Sequence, residues 1–179
     1  MAMVNNRFFK VLTAIIGSAV IASMTCGCEE IFELIEESEP GTQVPEDVEL
    51  EGPYEVDRVV DGDTLIVYID GQRTRVRLIG VNTPESVAED ESRNTEEGVA
   101  ASDFVKELID ETGYEVWLEY DNERYDQYDR TLAYVYIDYE GELVMLERIL
   151  LEDGYAQTVL YGTNDRYYEE FRDLEADAS

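Results

Sequence analysis

Three short stretches of this chain carry residue types that can do chemistry together. The first is Asp61-Gly62-Asp63-Thr64, in which two carboxylates two residues apart can converge on one hard cation. Asp-Gly-Asp is also an ordinary turn. The second is Arg77-Leu78-Ile79-Gly80-Val81-Asn82-Thr83-Pro84-Glu85. It follows a run in which Arg73, Arg75 and Arg77 alternate with Thr74, Val76 and Leu78. A period of two is that of a strand, so the three guanidiniums share one face. On a cleft they would bind phosphate; on an open surface they would be solvated or pair with acids. The third stretch runs from Tyr125 to Tyr136, with an arginine at the entrance of a strand and tyrosines alternating along it. The chain has no histidine, which excludes Ser-His-Asp triads, histidine zinc sites and imidazole bases. Hydrolysis here must use carboxylates, arginines and hard metals.

These clusters need a frame. Tyr54 to Val60 reads as a strand, Asp61-Gly62-Asp63 as a turn and Thr64 to Ile69 as a second strand. Asp70-Gly71 is a hairpin signal, and Gln72 to Ile79 is the third strand. Asn94 with Glu97 resembles a capping box. It opens a helix burying Ala101, Phe104, Val105, Leu108 and Ile109, with Gly113 as its stop. Strands are expected over Glu115 to Tyr120 and Thr131 to Ile137, and a helix over Leu143 to Glu152 ended by Gly154. A short extended piece covers Tyr155 to Leu160, and Asn164 is expected to cap a last helix carrying Tyr168, Phe171 and Leu174. Three strands, a helix, two strands and further helices give a mainly β fold with α (α+β). A five-stranded OB barrel with about three packed helices is consistent with this order. Periodicity alone leaves other α+β arrangements open.

Taken in order, Asp-Gly-Asp-Thr, Arg-Leu-x-x-Val-Asn-Thr-Pro-Glu and Asp-x-Tyr-x-Arg-x-Leu-Ala-Tyr-Val-Tyr closely resemble the staphylococcal-nuclease family, from about Tyr54 to the last helix. That resemblance implies a five-stranded OB barrel that cleaves phosphodiester bonds in DNA and RNA with one calcium ion. It implies Asp63 as a calcium ligand, Asn82 where the family usually has a second ligand aspartate, and Thr83 contributing its backbone carbonyl. It places Glu85 on the carboxylate that activates the attacking water, Arg77 and Arg130 on the phosphate-binding arginines, and Tyr128 on a nucleotide-contacting tyrosine. Asp61 would support the metal loop, and Tyr161 aligns loosely with a second nucleotide-contacting tyrosine. Asp129 stands where a glycine is usual, and its charge would compete for Arg130. The segment Ser86 to Glu97 is acidic where the family's loop is often basic. Calcium takes mixed carboxylate, carbonyl and water oxygens, so an asparagine is chemically admissible at the second ligand position. The rival reading is a non-catalytic OB module binding nucleic acid or protein.

The ends and the charge set the context. Arg7 and Lys10 precede the apolar run Val11 to Thr25, which is short for a spanning helix and ends at Cys26-Gly27-Cys28. We read residues 1–27 as a signal peptide with a lipobox, Cys28 as the lipidated residue and membrane anchor, 28–52 as an acidic tether and 53–179 as the nuclease-like domain. An extracellular, cell-surface monomer is expected. If Cys28 is lipidated, the mature chain has no second cysteine and no disulfide. The 13 Lys and Arg face 43 Asp and Glu, for a net charge of -30, and the only lysines are Lys10 and Lys106. Such a surface resembles that of proteins from extreme halophiles, because molar salt shortens the Debye length to about 3 Å and quiets carboxylate repulsion. The melting temperature should therefore rise steeply between dilute buffer and molar salt. A flat melting curve series would contradict the reading.

Overall fold

The computed structural model describes residues 44–45, 48–86, 95–139 and 141–178. The expected signal peptide, Cys28, most of the tether, the acidic run 87–93 and Asn94 lie outside the described residues. No helix among the described residues is long and apolar enough to cross a membrane.

Five strands close into a barrel: β1 (Glu51–Asp61), β2 (Thr64–Ile69), β3 (Gln72–Leu78), β5 (Glu115–Glu119) and β6 (Thr131–Tyr139). β1 pairs antiparallel with β2 and also with β5, as in Val56↔Val67 and Tyr54↔Val116. Its register breaks between Val56 and Arg58 and again between Val59 and Asp61. Such irregularities bend a strand, which lets one strand serve both sides of a closed barrel. β5 pairs antiparallel with β6, and β6 runs parallel to β3 to close the ring, with Arg77 opposite Leu132. Leu65, Val67, Val76, Leu78, Val116, Leu118, Ala133 and Val135 are fully buried and form the core. Val76 and Leu78 of β3 point into the core as expected, while Arg77 between them is buried as well.

Two expected boundaries shift. β1 begins at Glu51 and takes the last residues of the expected tether, because they pair with β5. The helix expected from Leu143 instead starts at Leu146, after a short strand β7 (Glu142–Met145) that forms a hairpin with β6. Gly141, at φ +90°, makes that turn. Cross-strand pairs Ile137↔Val144 and Asp138↔Leu143 override the helical spacing of Leu143 and Leu146.

Three helices flank the barrel: α1 (Glu96–Glu111), α2 (Leu146–Glu152) and α3 (Tyr168–Ala178). Thr95, not Asn94, caps α1, its hydroxyl accepting from Gly98 N at 2.9 Å. Phe104 is only half buried and stacks on Tyr155, with ring centroids 4.3 Å apart. Asn164 caps no helix. Its side chain accepts from Glu123 N at 2.7 Å and donates to Glu123 O at 2.9 Å, tying the final segment to the arm that precedes β6. A two-residue strand β4 (Val81–Asn82) pairs with β8 (Gln157–Thr158).

Two carboxylates sit inside this frame. Glu147 is fully buried, and both its oxygens accept from Val135 N, at 3.1 and 3.2 Å. Glu119 accepts from Tyr136 OH at 2.7 Å and Tyr167 OH at 3.0 Å, and meets Arg166 at 3.2 Å. Burial raises both carboxyls above their ordinary range, Glu147 well above it. A folded state that holds protons more tightly than the unfolded chain loses stability as pH rises between the two values. Stability should thus gain from Glu147 as pH falls from 8 towards 5. Melting temperatures of the parent and Glu147→Gln over that range check this: the parent's advantage at low pH should shrink in the variant, and parallel curves would refute it.

Candidate active site

The site is built on a chain reversal after β3. Gly80 has φ +81°, and a Cβ there would stand 2.6 Å from Phe171 Cε2, so α3 seals a turn that only glycine fits. The reversal carries the Val81 carbonyl and Asn82 back alongside Arg77. Arg77 lies on the outer face of β3 yet is only 3% exposed. Its Nη1 donates to Leu78 O at 2.7 Å and Val81 O at 2.8 Å. Its Nη2 donates to Tyr161 OH at 2.8 Å and Asn82 Oδ1 at 3.3 Å, and lies 2.9 Å from Asp63 Oδ2. The guanidinium also sits 5.0 Å from the centre of the Tyr161 ring.

Asp63 is held as firmly. Oδ2 also accepts from Thr83 N at 3.0 Å, and Oδ1 accepts from Thr64 Oγ1 at 2.9 Å. Asp61 secures the next piece of chain, its Oδ1 accepting from Gly62 N at 2.9 Å and Ser86 Oγ at 2.7 Å. Gly62 is packed too tightly for a side chain: a Cβ would lie 2.9 Å from Thr83 Cγ2 and 3.0 Å from the Ala101 Cβ.

Glu85 is exposed, and its backbone carbonyl accepts from Thr95 N at 3.0 Å. A Cβ on Gly98 would collide with the Glu85 carbonyl group and stand 2.7 Å from Pro84 O. The first turn of α1 thus lies directly on the Pro84–Glu85 backbone and fixes where Glu85 departs from the barrel.

Arg130 immediately precedes β6. Its Nε meets Asp126 Oδ2 at 2.6 Å, and its backbone N donates to Asp126 Oδ1 at 2.9 Å. Burial opposes ionisation of Asp126, but these bonds hold its carboxyl below the ordinary range. The carboxylate that takes this arginine is therefore Asp126 and not Asp129. Asp129 has φ +59°, which explains a position where glycine is usual; an aspartate tolerates this backbone better than most residues. Tyr128 is 70% exposed, and its ring centre lies 5.5 Å from the Arg130 guanidinium.

The structure thus joins Asp63, Arg77, Asn82 and Thr83 in one hydrogen-bonded cluster and adds Tyr161. Arg130 and Tyr128 form a second group at the barrel rim. Gly98 and Ser86 are positioning residues that the motifs did not reveal, because Ser86 acts on the distant Asp61 and Gly98 through a missing side chain; Asp126 lies inside the third motif, but the motif alone gave it no role. Among the described residues no three carboxylate, cysteine or histidine side chains gather to hold a metal. The donors near Asp63 are its carboxylate, the exposed Asn82 amide and backbone carbonyls, all oxygen, which suits a hard cation that retains several waters.

Comparison with known proteins gives the family. Residues 75–179 match the family described as Staphylococcal nuclease homologue. The chain is 44% identical over 137 residues to a thermonuclease of Staphylococcus intermedius, covering 76% of this chain and 77% of that protein. It is 40% identical over 128 residues to a thermonuclease of Staphylococcus hyicus, covering 72% of each. It is 38% identical over 119 residues to endonuclease YncB of Bacillus subtilis, covering 65% of this chain and 53% of that one. With its closed barrel and its clustered Asp63 and Arg77, this chain belongs to the family of staphylococcal nuclease homologues.

Proposed function

We propose that the domain hydrolyses phosphodiester bonds of nucleic acid, DNA or RNA, at the Asp63–Arg77 cluster with the help of calcium. The observation that carries this reading is the buried arginine. A guanidinium taken from water is costly, yet here it is locked in place by five acceptors and aims Nη2 at the exposed Asn82. Such a fixed donor suits charge that develops on a phosphoryl group. Phosphate oxygens would compete with Tyr161 and Asn82 for Nη2. Arg130 meets the same charge from the rim, and Tyr128 offers its exposed ring to a base. Glu85 takes a proton from the attacking water, the role a carboxylate fills where no histidine exists. Asp63, Asn82 and the Thr83 carbonyl are the oxygens that would hold calcium, whose chemistry there is to neutralise phosphate charge and position water. The leader supports an extracellular, lipid-anchored enzyme.

Cleavage of nucleic acid by the mature domain in high salt, with calcium or with chelator, tests the function directly. Glu85→Ser and Arg130→Gly should each lower the rate on the order of a hundredfold or more, with circular dichroism unchanged. Near-native activity in either folded variant removes that residue from the mechanism. Asn82→Asp adds an anionic donor and should lower the calcium needed for half-maximal cleavage, most clearly at modest salt where charge is least screened. An unchanged or higher requirement would mean that Asn82 is not a ligand.

A further inference from the structure

Most arginines in this acidic chain are neutralised. Among the described residues, Arg73, Arg77, Lys106, Arg124, Arg130, Arg148, Arg166 and Arg172 each meet a carboxylate. Among the described residues, Arg58 and Arg75 meet none within ion-pair distance. Both are exposed. The sheet register places them on one line: Arg58 pairs with Ile66, and Ile66 pairs with Arg75. Residues paired across neighbouring strands point to the same face, so the two arginines flank Ile66 on the outside of the barrel. Ile66 is only 8% exposed there, as expected beneath two long aliphatic stems.

That line adjoins the active site. Arg75 precedes Arg77 by two residues on the same strand face, about 6.6 Å along β3, the scale of one nucleotide step in an extended strand. Val76, next to Arg75, pairs with Thr131, next to Arg130, so both arginines lie at the same end of the β3–β6 pairing. Beyond Arg58 opens a cleft of about 410 Å³ lined by Arg58, Ser86 and Lys106 among others, and Ser86 is the residue bound to Asp61. Among the described residues, three nearby acids are already engaged: Asp57 by Arg73 and Tyr68, Asp103 by Lys106, and Asp126 by Arg130.

We propose that Arg75 and Arg58 form a phosphate-binding track that holds the substrate strand beside the scissile bond and leads it towards the cleft. They bind backbone phosphates of a neighbouring nucleotide and touch no reacting atom. Two uncommitted guanidiniums next to the cluster give a polyanion an attractive path onto a chain of net charge -30. This inference rests on the nuclease reading for its place in the reaction, but its binding signature stands apart from cleavage.

The test compares a dinucleotide, which has a single phosphodiester, with a fluorescent single-stranded octanucleotide, at the lowest salt that keeps the fold. Arg58→Gln with Arg75→Gln should raise KM for the octanucleotide roughly three- to tenfold per arginine, leave its kcat unchanged and leave the dinucleotide untouched. Arg→Lys at both positions should restore part of the loss. Measured with chelator present, the dependence of octanucleotide binding on salt should lose a slope of about 0.7 for each phosphate contact removed. Arg73→Gln, which removes the same charge from a residue already paired with Asp57, serves as control. Equal losses on both substrates, or a control as damaging as Arg75→Gln, would overturn the track. If the parent cleaves neither substrate but the variants still lose the salt slope, the nuclease reading fails and the track survives.

Discussion

The molecule is organised around a guanidinium buried on the outside of a barrel. Arg77 occupies an outward-facing position of β3 and still has almost no contact with water. An ion removed from water with imperfect partners costs several kcal/mol, so everything near it is arranged to supply acceptors. The Asp61–Thr64 turn brings Asp63, the Gly80 reversal brings the Val81 carbonyl and Asn82, and the segment before α3 brings Tyr161. Each of these pieces is pinned in turn: Phe171 fits against Gly80, α1 against the Pro84–Glu85 backbone, and β8 against β4.

In the proposed reaction this arrangement would link a structural demand to a functional one. The bonds that make burial of Arg77 tolerable also fix the direction of its N–H groups. A donor already locked in place has little reorganisation left to do when negative charge grows on a phosphoryl group. The salt bridge with Asp63 also restrains the carboxylate that would serve a cation, so the two charges orient each other. Hydrogen bonds and close packing hold this cluster, while Glu85 and Tyr128 stay exposed.

Much of this was legible in the sequence because the relevant information is local. Period-two alternation places the arginines of β3 on one face, and the ordered motifs hold Asp63, Arg77, Asn82 and Thr83, which the fold joins in one cluster. The rest depended on partners far along the chain. The helical spacing of Leu143 and Leu146 was genuine but lost to pairing with β6. Asn164 looks like a cap and instead bridges to Glu123, 41 residues earlier. The role of Gly98 lies in an absent side chain, and no pattern in one sequence signals a contact that must not exist. Asp129 adjoins Arg130 in sequence, yet the turn's backbone gives the arginine to Asp126.

The bond from Arg77 to Tyr161 spans 84 residues. Together with the Asn164 bridge and the seat of Phe171 against Gly80, it makes the cluster depend on the segment from Tyr161 to Phe171. During synthesis the barrel strands emerge first, and β3 is complete long before its arginine has a full set of partners. A ribosome-bound or truncated product ending before Tyr161 has the motifs of the site but lacks the clamp that orders them. The residues up to β3 thus carry much of the motif, and the residues from Tyr161 to Phe171 supply the contacts that order it.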